Sequence, residues 1–272
     1  MEYNQEDIIQ VEDLCKTFSL SRKQQKIERL STGKASAEQQ AQKRKVAVDH
    51  LSFTARSGEI FGLLGPNGAG KTTTLRMLST LIRPDSGDAR IDGFSITQQP
   101  SEVRGRIGFL TSELKLEDFF TPDYLFDFFS ALHGVEPAAA AEHKKRLFAR
   151  FGIDRFAGVK VANLSTGMKQ KASLAISLAH DPRIIIFDEP TNGLDVLTAR
   201  TVTDFLQELR SEGRTIILST HIFSLVQRLC DRVGIIIDGR MVACGSLAEV
   251  SDGLDIEDRF FELYKNVKGE EE

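Results

Sequence analysis

The segment Gly65-Pro66-Asn67-Gly68-Ala69-Gly70-Lys71-Thr72 constrains this chain more than any other feature. Gly65, Gly68 and Gly70 let the backbone take turns that a Cβ would forbid. Their N–H groups can then converge as a nest for an anion. Lys71 adds a cation within the same turn, and Thr72 adds a hydroxyl. The run Glu59-Ile60-Phe61-Gly62-Leu63-Leu64 predicts a buried strand entering the loop. Thr73 to Leu78 predicts a helix leaving it, whose N-terminal partial charge favours a phosphate. Strand, glycine-rich loop and helix in that order form a phosphate cradle. Asn67, Gly68, Ala69, Gly70, Lys71, Thr72 and Thr73 are the residues placed to line it.

A second segment, Ile184-Ile185-Ile186-Phe187-Asp188-Glu189-Pro190, is an apolar run that ends in paired acids. The absence of alternation predicts a parallel strand covered on both faces. Asp188 then stands at the strand's C-terminal end, where open α/β sheets bind ligands. Taken alone the pair reads equally well as surface acids. With the phosphate loop in the same chain, it reads as a Mg²⁺ site shared by Thr72 and Asp188. Glu189 is placed to polarise an attacking water. The two segments together predict an α/β chain that binds a nucleoside triphosphate with Mg²⁺.

A third segment lies between them. In Leu164-Ser165-Thr166-Gly167-Met168-Lys169-Gln170, Ser165 is a good helix N-cap. Met168, Ala172, Ala175, Ile176 and Ala179 follow at helical spacing, and Asp181-Pro182 ends the run. From the residues alone this is an ordinary capped helix with an anion-compatible N-terminus.

These motifs, in this order, resemble the nucleotide-binding subunits of ABC transporters. Ser165 to Gln170 is similar to their signature motif, with Thr166 where a second Gly is usual. Asn192-Gly193-Leu194-Asp195 resembles the dimer-contact loop, and Thr215 to His221 resembles the strand that carries the switch histidine. The resemblance extends from about Val11 to Gly245. It implies a P-loop NTPase with a RecA-like core, an antiparallel β subdomain and an ABC-type helical subdomain. It implies ATP hydrolysis with Lys71, Glu189 and His221 as catalytic residues, and Phe18 stacked on adenine. It also implies a homodimer in which Ser165 and Gly167 of one copy close over ATP held by the other, and a separate transmembrane permease that selects the substrate. Thr111–Leu116 and the Ser165–Lys169 pattern look most like sodium-extruding exporter (NatA-like) ATPases. A soluble ABC-type ATPase and a weakly hydrolytic regulatory binder are the alternatives.

One position departs from the family. Ser112 stands where a metal-contacting Gln is usual. Three readings are open: a hydroxyl contact from Ser112 to the metal, a contact from Glu113 instead, or neither. His221 likewise reads as a satisfied core histidine from the strand alone, and as a γ-phosphate contact from the resemblance.

Composition sets the remaining bounds. The 272 residues are 41% apolar, enough for one sizeable core. No apolar run approaches the ~20 residues that span a bilayer. Any action at a membrane therefore needs a separate membrane partner, and the resemblance implies a cytoplasmic location, peripheral on the membrane. Cys15, Cys230 and Cys244 are scattered, and a net charge of −4 gives no nucleic-acid footprint. Residues 8–100 and 164–245 read as the α/β core, 101–163 as mainly helical, and 246–272 as a polar, weakly helical tail. Residues 21–45 carry eight basic residues against Glu28 and Glu38. They read as a solvated insertion, or alternatively as a segment drawn to anionic lipid. Tyr124, Leu125, Phe128, Phe129 and Leu132 are expected to form one apolar helical face, mostly in the core.

Overall fold

A computed structural model describes residues 7–19, 44–111 and 116–269. Ser112, Glu113 and all of the basic insertion except Arg44 and Lys45 lie outside the described residues.

Two sheets form the molecule. The first strands, β1 (Asp7–Ser19) and β2 (Arg44–Arg56), pair antiparallel. They join β4 (Ser86–Ile91) and β5 (Phe94–Ser95) in a four-stranded sheet of order β2-β1-β4-β5. The second sheet contains β3 (Ile60–Leu64), β6 (Ile107–Thr111), β7 (Ile184–Asp188), β8 (Thr215–Thr220), β9 (Arg232–Ile237) and β10 (Arg240–Ser246), in the order β10-β9-β3-β8-β7-β6. Every residue of β3, β7 and β8 is buried, as their unalternating apolar sequences require of parallel strands covered on both faces. The β9–β10 hairpin turns at Asp238-Gly239, both with positive φ, the backbone that matches strand twist.

Parallel pairing fixes the geometry of the site. In the β3–β8 register Leu64 lies beside Thr220, and in the β7–β8 register Asp188 lies beside Ser219. The phosphate loop, the paired acids and His221 therefore emerge from the same edge of three adjacent strands. Helix α1 (Lys71–Leu78) leaves the loop. The short helix α2 (Pro100–Arg104) precedes β6.

The stretch read as mainly helical contains α3 (Pro122–Leu132) and α4 (Pro137–Phe151). It also contributes β6 to the main sheet, paired parallel with β7. Five residues interrupted by Gly108 carry too little periodicity to separate strand from helix. Helix α5 (Thr166–Ser177) follows, capped by Ser165 as expected, and α6 (Val196–Ser211) and α7 (Phe223–Leu229) flank β8. The apolar face of α3 differs from expectation. Leu125 and Phe126 are buried, whereas Tyr124, Phe128 and Leu132 are exposed.

The tail is more ordered than its polarity suggests. Helix α8 (Leu247–Ser251) opens with a capping box between Ser246 and Glu249, which satisfies two amide donors at once. Helix α9 (Ile256–Lys268) buries Ile256 and Phe260. Phe260 meets Phe223, with ring centroids 5.2 Å apart. Truncating Phe260 to Ala removes a buried aromatic, so unfolding in urea should show a loss of about 3–5 kcal/mol.

Three histidines sit where α3, α4 and the end of α5 meet. His180 stacks on His133 with centroids 4.0 Å apart and places Nε2 3.0 Å from the Ile107 carbonyl. His143 places Nε2 2.8 Å from the Leu178 carbonyl. Burial pushes all three below the ordinary histidine value, His180 to about 4. Their neutral forms belong to the fold, while the unfolded chain protonates them near 6.5. Their stabilisation is present above pH 6.5 and is lost as pH falls through their lowered folded-state values, about 4 for His180. A Tm series across that window should decline steeply, and His180→Gln should flatten it.

Candidate functional site

The phosphate loop begins where β3 ends. The Gly65 amide donates to the Thr220 carbonyl at 3.3 Å, which ties the loop to β8. Gly70, the N-cap of α1, has φ +105, and a Cβ there would lie 2.3 Å from the Ala47 carbonyl oxygen. Only glycine fits that turn. The first turn of α1 then presents N–H groups that have no partner within the helix. A cleft of about 760 Å³ opens above them.

Phe18, Asn67, Gly68, Gly70, Lys71, Thr72, Thr73, Asp188, Glu189 and His221, all expected site residues, line this cleft. Ala69 does not. It is buried, with its amide bonded to the Pro66 carbonyl and its own carbonyl accepting from Gly239. It supports the loop from behind.

Lys71 is almost fully buried, and its Nζ donates to the carbonyls of Gly65 at 2.7 Å and Pro66 at 3.2 Å. It also lies 3.5 Å from the Glu189 carboxylate. Burial lowers its pKa, and the Glu189 charge opposes that shift. This is a cation held ready at the floor of the cleft by acceptors that an incoming phosphate can replace.

Thr72 Oγ1 donates to Asp188 Oδ1 at 3.0 Å, and Ser219 Oγ donates to the same oxygen at 2.5 Å. Asp188 is thus a buried carboxylate oriented by two hydroxyls. Glu189 follows in a left-handed conformation, φ +53, a strain that non-glycine residues adopt mainly where surrounding structure enforces it. Its amide is held by the Ser219 hydroxyl and carbonyl, at 3.1 and 3.2 Å. This turn swings the carboxylate out of the sheet, where His221 Nδ1 lies 3.1 Å away.

Ser219 was not expected to act. It lies inside the quoted strand Thr215–His221, but nothing in an apolar run marks which of its hydroxyls orients an acid one strand away. Lys45, the last residue of the basic insertion, and Ala47 also line the cleft, brought there by β2. Phe18 is partly exposed at the cleft rim with the Lys16 ammonium 5.8 Å from its ring centroid.

Ser165 and Gly167 stand apart. Ser165 accepts the Met168 amide at 3.3 Å and is exposed. Neither residue lines the phosphate cleft of its own chain.

A family model described as ABC transporter matches residues 48–192. The chain belongs to the ABC transporter family. It is an ATP-binding, ATP-hydrolysing member, with the P-loop NTPase fold. It is 40% identical over 231 residues to the ABC transporter ATP-binding protein NatA of Bacillus subtilis, covering 84% of this chain and 94% of that one. It is 38% identical over 215 residues to the Nod factor export ATP-binding protein I of Burkholderia lata, covering 78% and 71% respectively. A solved ATP-binding subunit of an ABC transporter superposes with a TM-score of 0.80 at 25% identity, covering 95% of this chain and all of that one. Among the described residues no helix is long and apolar enough to cross a membrane.

Gly70 in the phosphate loop and Gly167 in α5 of this ABC protein should respond oppositely. Gly70→Ala should lower Tm and abolish ATP binding, because the new Cβ meets backbone. Gly167 has nothing within 4 Å of its Cβ direction. Gly167→Ala should therefore keep ATP affinity of the monomer and leave its stability unchanged or raised by up to about 1 kcal/mol. Isothermal titration and thermal melts on both variants check this.

Proposed function

We propose that this chain is the ATPase subunit of an ABC exporter, in which two copies close head to tail over two MgATP and drive a separate transmembrane permease. The observation that carries the proposal is the one-sidedness of the site. Lys71, Thr72, Asp188, Glu189 and His221 line the cleft, while Ser165 and Gly167 at the α5 N-terminus do not. A second copy can supply that N-terminus as an anion-binding lid over the γ-phosphate.

In this reading the N–H groups of Asn67 to Thr73 and the Lys71 ammonium hold the β- and γ-phosphates. Thr72 and Asp188 offer oxygen ligands of the kind that suit Mg²⁺, which when bound neutralises charge on the phosphates. Glu189 accepts a proton from the attacking water as its oxygen bonds to the γ-phosphorus, and the bond to the ADP oxygen breaks. His221 orients that carboxylate through the 3.1 Å contact. Phe18 stacks on the adenine. Loss of the γ-phosphate removes what the second copy's α5 was holding, so the pair reopens. This is a switch by differential affinity for two states.

Residues 101–163 form the arm that meets the permease. A largely apolar groove of about 620 Å³, lined by Leu81, Phe109, Phe120, Tyr124, Phe128 and Phe129 among others, supports docking of a permease helix there. The protein would then sit peripherally on the cytoplasmic face of the membrane. Export is favoured by the relative whose name states export. Sodium as cargo rests on the Thr111–Leu116 and Ser165–Lys169 resemblance, and Na⁺ efflux from vesicles holding both subunits tests it.

Glu189→Gln keeps the size of the side chain and removes the base. It should bind ATP normally, lower turnover by ~10²–10⁴-fold and accumulate as a nucleotide-bound dimer in gel filtration. Normal turnover would place the base elsewhere.

A further inference from the structure

We propose that the double bulge between β1 and β2 carries a binding site for a thiophilic divalent cation of the Zn²⁺ class, held by Cys15 Sγ, His50 Nε2 and Asp49 Oδ1. The site is separate from the nucleotide cleft and belongs to the antiparallel sheet.

The strand register builds it. Between the Val11–Phe53 and Leu14–Leu51 pairs, β1 has one residue more than β2, and between Leu14–Leu51 and Lys16–Val48 the excess is on β2. Opposed bulges of this kind twist the ladder and re-aim side chains. Asp13 and His50 both take left-handed backbone there, φ +52 and +51. The result is that a thiol, an imidazole nitrogen and a carboxylate oxygen lie within 4.8 Å of one another.

The donor set is chemically ordered. His50 Nδ1 lies 2.6 Å from Asp13 Oδ1, which fixes the proton on that nitrogen and leaves Nε2 as the free lone pair. A carboxylate behind a ligating histidine orients the ring and raises its basicity. Nε2 lies 3.8 Å from Asp49 Oδ1, while Arg240 Nε occupies Asp49 Oδ2 at 2.6 Å. One carboxylate oxygen is thus steadied and the other left for a ligand. The His50 amide donates to Cys15 Sγ at 3.3 Å, a contact that a thiolate ligand retains. Tetrahedral zinc bonds of these types require donors about 3.3–3.7 Å apart, so a small movement of the exposed His50 ring closes the site. Binding releases the thiol proton. Three protein ligands leave a fourth position for water. Sulfur and nitrogen donors favour Zn²⁺ over the hard Mg²⁺ of an oxygen-lined site.

The bulge is also tied to the phosphate loop. The Asp49 amide donates to the Gly239 carbonyl at 2.9 Å, and the Gly239 amide donates to the Ala69 carbonyl at 2.9 Å. An ion at Asp49 would brace the strand beside the nucleotide.

Titration of the full chain with Co²⁺ tests the proposal, because a cobalt–thiolate charge-transfer band reports sulfur ligation that the nucleotide site cannot give. The wild-type chain should develop the band with one equivalent of Co²⁺, and Zn²⁺ should erase it. Cys15→Ser should lose the band and Cys244→Ser should keep it. Asp13→Asn should weaken binding about 10–100-fold, with thermal melts confirming that the variants fold. No band in the wild-type chain, or a band that survives in Cys15→Ser, would overturn the proposal.

Discussion

The parallel pairing of β3, β8 and β7 is the constraint on which the rest of this structure depends. Each strand ends in a chemically distinct turn: the phosphate loop after β3, His221 after β8, the paired acids after β7. Because Leu64 is in register with Thr220 and Ser219 with Asp188, those turns share one edge of the sheet. A one-residue slip would reverse the face to which every side chain points, and Asp188 would lose both of its orienting hydroxyls.

Local sequence reported this much because its signals were local. A glycine-rich turn between strand and helix is contained within about a dozen residues, and so are an apolar run ending in Asp188-Glu189 and a serine cap before an apolar helical stripe. What escaped was set by distant partners. Ser219 acts through a carboxylate one strand away, and Ala47 forms the wall of the Gly70 turn from beyond the basic insertion. The helical tail depends on a cluster joining Phe223 to Phe260, which composition cannot reveal. The face of α3 that packs inward was misjudged for a related reason. Periodicity defines an apolar stripe, but Leu125 and Phe126 are buried because α4 and α5 lie on that side, and Tyr124 and Phe128 are left toward the groove.

One of the left-handed non-glycine residues stands at the nucleotide site. Glu189 holds a left-handed backbone directly after β7, and two bonds from its amide to Ser219 enforce it. Lys71 is buried against carbonyls and a carboxylate; burial lowers its pKa against the opposing charge of Glu189, and phosphate oxygens would stabilise the cation further. On the proposed reading the same logic extends between copies. The α5 N-terminus is a Ser165-capped turn of the kind that binds anions, and its complement is the γ-phosphate in another chain.

That composite site is most directly tested by mixing two inactive variants. Lys71→Ala removes the phosphate cation in its own chain, and Ser165→Arg blocks the lid that chain offers to its partner. In a mixed dimer, one cleft combines the intact Lys71 of the second variant with the intact Ser165 of the first. ATP hydrolysis should therefore reappear on mixing, although neither variant turns over alone. If the mixture stays as inactive as its components while the two variants still associate, each chain does not complete the site of another, and the head-to-tail account is wrong.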